Sequence, residues 1–251
     1  MPGEAAEPTS TIVLTSKDLH YVDIRIFKQK WLEEEQRKDT QTSECVEWAF
    51  AGTSRTKKDA KTGDGAGSRS HTVWDHWIDS KGGEGGSDEG DMTLLEDGNV
   101  LEEGVNKLPD GTEQKYEELW KDLPVDPLGK KHNRHSIVLR AENEDQVLKG
   151  LVIKIGAWCQ GILKKDGQLT VERWQLKPKS EDEHGRDSGA EVEESTRTRN
   201  DWVRVFKVGT EVLACKDVCE NTAGKLGMNA SKFYGERENK IEWKVIEEYY
   251  W

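Results

Sequence analysis

The stretch Leu151–Leu163 reads LVIKIGAWCQGIL and is rich in β-branched residues. Such residues favour extended strands, and glycine interrupts the run only at two points. Similar short runs recur along the chain and predict further strands at Val22–Phe27, Ser136–Arg140, Thr170–Leu176, Trp202–Val208, Val212–Cys215 and Ile241–Ile246. We therefore predict a mostly β protein built from antiparallel strands.

Helical periodicity is scarce, and the segment Thr112–Leu123 fits it best. Four apolar residues between Tyr116 and Leu123 would share one helical face, and Pro124 would end the helix. We therefore predict a short helix here, in a fold with one or two short helices.

Three segments are filled with Gly, Ser, Lys, Asp and Glu, which is typical of loops that carry no core. They are Thr53–Ser70, Ser80–Asp91 and Lys177–Asn200. These loops hold much of the charge of the chain.

A loose internal duplication is visible when the two halves are compared. Four segments recur in the same order: His20–Arg25 as His135–Arg140, Trp48–Gly52 as Trp158–Gly161, Thr72–Trp77 as Thr170–Trp174, and Thr93–Val100 as Arg204–Val212. Pro and Gly residues in Leu123–Gly129 separate the copies. The pattern predicts two tandem antiparallel β-barrels, with domains at residues 10–128 and 132–251.

Composition narrows the class of protein further. The 251 residues carry 37 Lys and Arg against 49 Asp and Glu, a formal charge of −12, and include ten Trp. Nucleic-acid binding needs clustered basic residues, so we expect no nucleic-acid partner. Because no run of about 18 apolar residues exists, we expect no membrane span.

The amino terminus MPGEAAEPTS has neither a basic nor an apolar region of the kind that secretory signals carry. We therefore expect a cytoplasmic protein, in which the four cysteines stay reduced. These are Cys45, Cys159, Cys215 and Cys219.

Several motifs in both halves are specific enough to compare with a known family. They are Val46–Thr53 (VEWAFAGT), Tyr116–Trp120 (YEELW), Ser136–Leu139 (SIVL), Gly150–Gly161 (GLVIKIGAWCQG) and Trp243–Glu247 (WKVIE). In these the chain resembles the fungal HRI protein family, which is named for interaction with a casein-kinase-I-type protein kinase. The resemblance implies tandem lipocalin-like β-barrels. Related double-barrel proteins include fungal secondary-metabolite enzymes that catalyse hetero-Diels–Alder reactions, although a shared fold does not establish function.

Aromatic and polar side chains that alternate along predicted strands form the candidate site. Trp158 and Gln160 share one strand face, as do Trp74 and His76. Tryptophans beside a few polar groups are typical of an apolar ligand pocket. Gln160 and His76 are the candidate catalytic donors, and the candidate substrate-binding residues are Trp48, Phe50, Trp74, Trp158, Trp174, Trp202 and Trp243. The alternative is that these tryptophans only fill small barrels.

The sharpest functional hypothesis is a cofactor-free pericyclic cyclisation in fungal terpenoid or polyketide biosynthesis. The cavity would hold a diene and an alkene in a near-attack arrangement, and Gln160 or His76 would hydrogen-bond to the carbonyl. A second hypothesis is a non-enzymatic scaffold that binds a protein kinase through acidic stretches such as Ser87–Asp91 and Ser180–Asp187. A third is a passive carrier of a small apolar metabolite. Enzyme, carrier and scaffold stay open, as does the choice between monomer and homodimer.

We expect no cofactor, since the chain has no phosphate-binding loop, dinucleotide fingerprint or nucleophile elbow. We also expect no metal. His132 and His135 lie three residues apart, but they have no nearby ligands at metal-binding spacing.

Overall fold

The computed structural model describes residues 6–37, 42–107, 110–125, 134–145, 147–178, 200–220, 230–235 and 240–251. Residues 9–120 form a seven-stranded antiparallel sheet in which each strand pairs with the next along the chain. The sheet curls into a half-barrel. Its strands are β1 (Thr9–Thr15), β2 (His20–Phe27), β3 (Val46–Lys58), β4 (Arg69–Asp79), β5 (Ser87–Leu94), β6 (Val100–Lys107) and β7 (Glu113–Trp120).

A second antiparallel sheet of seven strands is built from residues 135–250, in the order β12-β11-β10-β9-β8-β14-β13. The predicted run Leu151–Leu163 is divided between two of its strands, because Gly156 adopts a positive φ of 53° and turns the chain. The strands are β8 (His135–Asn143), β9 (Leu148–Ile155), β10 (Trp158–Lys165), β11 (Gln168–Pro178), β12 (Asn200–Val208), β13 (Ser231–Tyr234) and β14 (Ile241–Tyr250). The prediction of a mostly β fold with two tandem antiparallel barrel-like units is confirmed, and the first of the two sheets is a half-barrel.

Two helices occur in the described part of the chain, α1 (Lys28–Arg37) and α2 (Cys215–Glu220), with a 3-10 turn at Ser43–Cys45. Neither helix is long and apolar enough to cross a membrane. The predicted strand at Val212–Cys215 is wrong, because α2 begins at its last residue. Short apolar runs do not distinguish a strand from a helix.

The predicted helix at Thr112–Leu123 is also wrong, since most of this segment is β7. Tyr116, Glu118 and Trp120 are its less exposed residues, so the period is two rather than between three and four. Glu102 on β6 accepts hydrogen bonds from Tyr116 Oη and Trp120 Nε1 at 2.8 and 2.7 Å. These contacts favour the strand.

The predicted loops are shorter than expected where the structure describes them. Thr53–Lys58 continues β3, and Ser87–Asp91 belongs to β5, which pairs with strands on both sides. Most of Lys177–Asn200, together with Ser180–Asp187 and His132, lies outside the described residues.

The internal duplication holds only in part. The second and third matches lie on β3 and β4 and on β10 and β11, and the two strands of each pair are adjacent. The fourth match differs, since Thr93–Val100 runs from the end of β5 to the start of β6, whereas Arg204–Val212 runs from β12 into the segment before α2. The first match fails, because β2 pairs directly with β3 whereas β9 lies between β8 and β10. The domain boundaries at residues 128 and 132 fall on residues that the structure does not describe, and they stay predictions.

The interior of the second sheet is filled by its own chain. Residues of α2 and the segment before it, such as Leu213 and Val218, pack against the buried face that includes Leu139, Val152 and Trp243. Trp243 is fully buried.

The two sheets share a separate apolar core. Val22 and Ile24 of β2 pack with Ile153, Ile162 and Phe206 of the second sheet. The halves of the chain therefore bury one common surface, whose hydrophobic contacts stabilise their association.

A polar junction crosses this common core. Arg173, which is 1% exposed, donates from Nε to Gln160 Oε1 at 2.7 Å and from Nη2 to the Ile24 carbonyl at 2.6 Å. Gln160 is fully buried and donates to the carbonyls of Ile12 and Val22 at 2.9 and 3.1 Å. Burial lowers the pKa of Arg173 to about 10.

We expect Arg173→Met to lower the free energy of unfolding by about 2–4 kcal/mol, because it removes charge-assisted hydrogen bonds and leaves Gln160 Oε1 without its donor. Urea denaturation measures the change. Arg69→Met, at an exposed end of β4, is the matched control and should stay within about 0.5 kcal/mol of the parent. An equally small change for Arg173→Met would contradict a stabilising role for the junction.

Candidate functional site

A cavity of about 480 Å³ lies on the concave side of the first sheet. All seven strands of that sheet contribute to its wall, and Ile155, Ala157 and Trp158 of the second sheet complete it. Leu123, which follows β7, also lines the cavity and is 54% exposed, so the cavity reaches the surface there. Small-molecule sites commonly have volumes of about 300–1,000 Å³.

Aromatic side chains form much of the wall. Trp48 and Phe50 are neighbours on one face of β3, with ring centroids 4.2 Å apart, and the rings of Tyr21 and Phe50 pack edge to face with centroids 5.8 Å apart. The aromatic lining residues are Tyr21, Trp48, Phe50, Trp74, Tyr116, Trp120 and Trp158.

A partly buried ion pair lines the cavity. Arg25 on β2 donates from Nη1 and Nη2 to the two carboxylate oxygens of Glu118 on β7, at 2.7 and 3.3 Å. Its Nε donates to Asp23 Oδ2 at 3.1 Å. Burial alone would lower the pKa of Arg25, but the two carboxylates outweigh burial and raise it. Because β2 lies next to one edge of the sheet and β7 is the other edge, this pair connects strands near the two edges of the half-barrel.

Asp23 is only 2% exposed, and its Oδ1 has no hydrogen-bond partner among the described residues. Burial raises the pKa of Asp23 to about 6, although the nearby Arg25 charge opposes the shift. The carboxylate is therefore ionised at neutral pH but only partly paired.

Glu102 is a second buried carboxylate in the cavity wall, and burial raises its pKa. The paired glycines Gly90 and Gly104 leave room for it and for Tyr116. A Cβ atom on Gly104 would lie 2.3 Å from Tyr116 Cζ, and one on Gly90 would lie 2.9 Å from Glu102 Cγ. Glycine at these positions is thus required by space.

His76 supports the wall from behind. Its Nδ1 lies 2.9 Å from Asp79 Oδ2 and its Nε2 lies 3.2 Å from Asp88 Oδ2. Its ring centroid lies 4.6 Å from that of Phe50, and Trp48 Nε1 donates to Asp79 Oδ1 at 2.9 Å. Burial alone would lower the pKa of His76, but the two carboxylates raise it to about 9.

The structure brings four of the predicted site residues together and separates the others. Trp48, Phe50, Trp74 and Trp158 line the cavity. Gln160 lies in the junction between the sheets, where its amide is hydrogen-bonded, and His76 lies behind the wall, where it is paired with Asp79 and Asp88. The other three predicted residues, Trp174, Trp202 and Trp243, pack in or against the apolar core of the second sheet instead.

Sequence reasoning missed the charged lining of the cavity. Asp23 and Arg25 alternate with apolar residues, a pattern that usually indicates a solvated strand face. Glu118 lies in the segment that was expected to be helical. The sequence feature that could have identified Glu118 is the two-residue spacing of Tyr116, Glu118 and Trp120, which matches the period of a strand.

Fold and site together define a two-sheet β protein with an aromatic, internally charged cavity in one sheet. A family model described as Protein HRI1 matches residues 1–247, and the chain belongs to this family, as its motifs predicted.

Among relatives, Protein HRI1 of Saccharomyces cerevisiae strain S288c is 30% identical over 184 residues, or 66% of this chain and 70% of that protein. Protein HRI1 of strain YJM789 matches with the same identity and coverage. The crystal structure of the uncharacterized protein YLR301w from Saccharomyces cerevisiae has a TM-score of 0.62 at 21% identity, covering 97% of this chain and 93% of that chain. At this identity the structural likeness concerns the fold alone.

We expect Gly104→Ala to lower the free energy of unfolding by about 1–3 kcal/mol, because the new methyl group displaces the Tyr116 ring from Glu102. Chemical denaturation measures the loss. Glu103→Ala, exposed on the same strand, is the control and should have a much smaller effect. Equal effects of the two substitutions would show that the space beside Tyr116 is not restricted.

The raised pKa of His76 has a consequence for stability against pH. Because its folded pKa of about 9 exceeds the ordinary value of 6.5, its contribution is complete below about pH 6.5 and is lost as pH rises through about 9. We expect the stability difference between the parent and His76→Gln to shrink from pH 6.5 to 9.5 in urea denaturation. A constant difference, or an imidazole that titrates below pH 7 by NMR, would contradict this.

Proposed function

We propose that the protein binds a small, largely apolar molecule in the cavity of its first sheet. The observation that supports this is the cavity itself, with about 480 Å³ of space lined by seven aromatic side chains and open near Leu123. A site of this size and character can bury most of a small ligand while a few polar groups orient it.

The second sheet supports the proposal by contrast. Protein interiors normally close-pack, and this sheet fills its interior with Trp243, α2 and neighbouring apolar residues. The same chain could have filled the first sheet in this way. An unfilled, aromatic cavity sacrifices dispersion contacts, and a ligand would restore them.

Cyclisation of a bound diene stays a hypothesis outside this proposal. Its two candidate donors, Gln160 and His76, are not among the lining residues of the cavity, and both are hydrogen-bonded or ion-paired to protein groups. The lining offers other polar groups, but none yet points to a reaction.

The kinase-scaffold hypothesis also lacks support from the described residues. Ser87–Asp91, one of its two acidic stretches, is paired in β5 rather than presented as a free loop. The cavity is therefore the better guide to function.

The proposal can be tested with N-phenyl-1-naphthylamine, an apolar dye that is uncharged at neutral pH and fluoresces when it leaves water. We expect saturable binding of one dye per chain, with native mass spectrometry confirming the ratio. Val100→Trp should weaken binding at least tenfold, because Val100 lines the cavity and the larger ring occupies it.

Val105→Trp is the matched control on the same strand, since Val105 is 48% exposed and lies outside the cavity wall. It should bind the dye like the parent. Absence of saturable binding, or equal affinities for both tryptophan variants, would overturn the assignment of this cavity as a binding site.

A further inference from the structure

We infer that the ligand carries a protonated amine, and that Asp23 binds this group while the aromatic wall holds an apolar body. The inference rests on the proposed function and adds a ligand class to it. Three independent features of the cavity support it: an unpartnered acceptor atom, an excess of carboxylates, and aromatic rings that already surround a cation.

The first feature is the acceptor. Asp23 lies on the cavity face of β2 between Tyr21 and Arg25, with its side chain 3% exposed. Its Oδ2 accepts from Arg25 Nε, whereas its Oδ1 has no partner among the described residues. A buried carboxylate oxygen without a donor is costly, so a donor supplied by a ligand would be stabilising.

The second feature is charge. Arg25 directs both of its terminal nitrogens to Glu118 and makes no hydrogen bond to Asp23 Oδ1. Lys121 is the other basic residue of the wall. The wall also carries five carboxylates: Asp23, Asp88, Glu102, Glu118 and Asp122. Even with the protonated His76 paired to Asp88 from behind the wall, the carboxylates outnumber the cations. This excess favours a cationic ligand over a neutral or anionic one.

The third feature is the rings around Arg25. Its guanidinium carbon lies 5.6 Å from the ring centroid of Trp48 and 5.8 Å from those of Phe50 and Trp120. Aromatic faces attract cations most strongly where water is excluded. The wall is therefore suited to an ammonium group, and Trp74 and Trp158 remain available for its apolar body.

The ionisation of Asp23 sets the expected pH dependence. Burial raises its pKa to about 6 against the opposing influence of Arg25 on β2 and Arg173 on β11, while Glu118 on β7 adds to the rise. An alkylammonium group, with a pKa near that of lysine at about 10.4, stays charged throughout this range. Amine binding should therefore weaken as pH falls through about 6.

The experiment displaces bound N-phenyl-1-naphthylamine with three probes of equal chain length, hexylamine, hexan-1-ol and hexanoate, at pH 7.5. We expect hexylamine to bind at least tenfold more tightly than hexan-1-ol, and hexanoate to bind most weakly. Asp23→Asn should abolish the preference for the amine, while Asp18→Asn, at an exposed position, should keep it.

Circular dichroism first establishes that Asp23→Asn folds. If it does not fold, the parent protein provides the test through the amine-to-alcohol affinity ratio, which should fall at least fivefold between pH 7.5 and pH 5. Equal affinities for amine and alcohol, an unchanged ratio at both pH values, or no displacement by the amine would overturn this inference. In each case the dye still binds and the proposed function stands, whereas failure of the dye itself to bind would refute the proposed function.

Discussion

The guanidinium of Arg173 lies between the two sheets. The remainder of the site depends on the hydrogen bonds that this group makes. A buried cation requires acceptors, and Gln160 Oε1 and the Ile24 carbonyl supply two of them. These hydrogen bonds fix the backbone of β2 against the second sheet. The opposite face of β2 carries Asp23 and Arg25 into the cavity, so the position of the charged lining follows from this junction.

Inside the cavity, charge and shape are set by the same residues. The ion pair of Arg25 with Glu118 connects β2 to β7, and Glu102 holds Tyr116 and Trp120 against the neighbouring strand. Buried carboxylates are expensive unless they are paired, and most oxygens here are. Polar contacts in the cavity wall thus stabilise the half-barrel, whereas apolar packing against α2 stabilises the second sheet.

Local patterns predicted strands such as Val22–Phe27, because the alternation of their residues depends on the segment alone. They failed at Thr112–Leu123, because the spacing of Tyr116 and Trp120 fits both a helix and a strand. The hydrogen bonds that favour the strand are made to Glu102, which lies on another strand. Residue type was enough to find Trp48 and Trp158. Asp23 was missed because a charged strand face becomes an interior only when the sheet curls, and curvature is a property of the whole sheet.

Trp158 belongs to the second half of the chain but lines a cavity built on the first. Ile155 and Ala157 reach the same wall from the hairpin at Gly156. The two halves consequently cannot be exchanged as independent modules in recombination without changing the pocket. A substitution in either half can therefore change the shape of a cavity whose strands belong mainly to the first sheet.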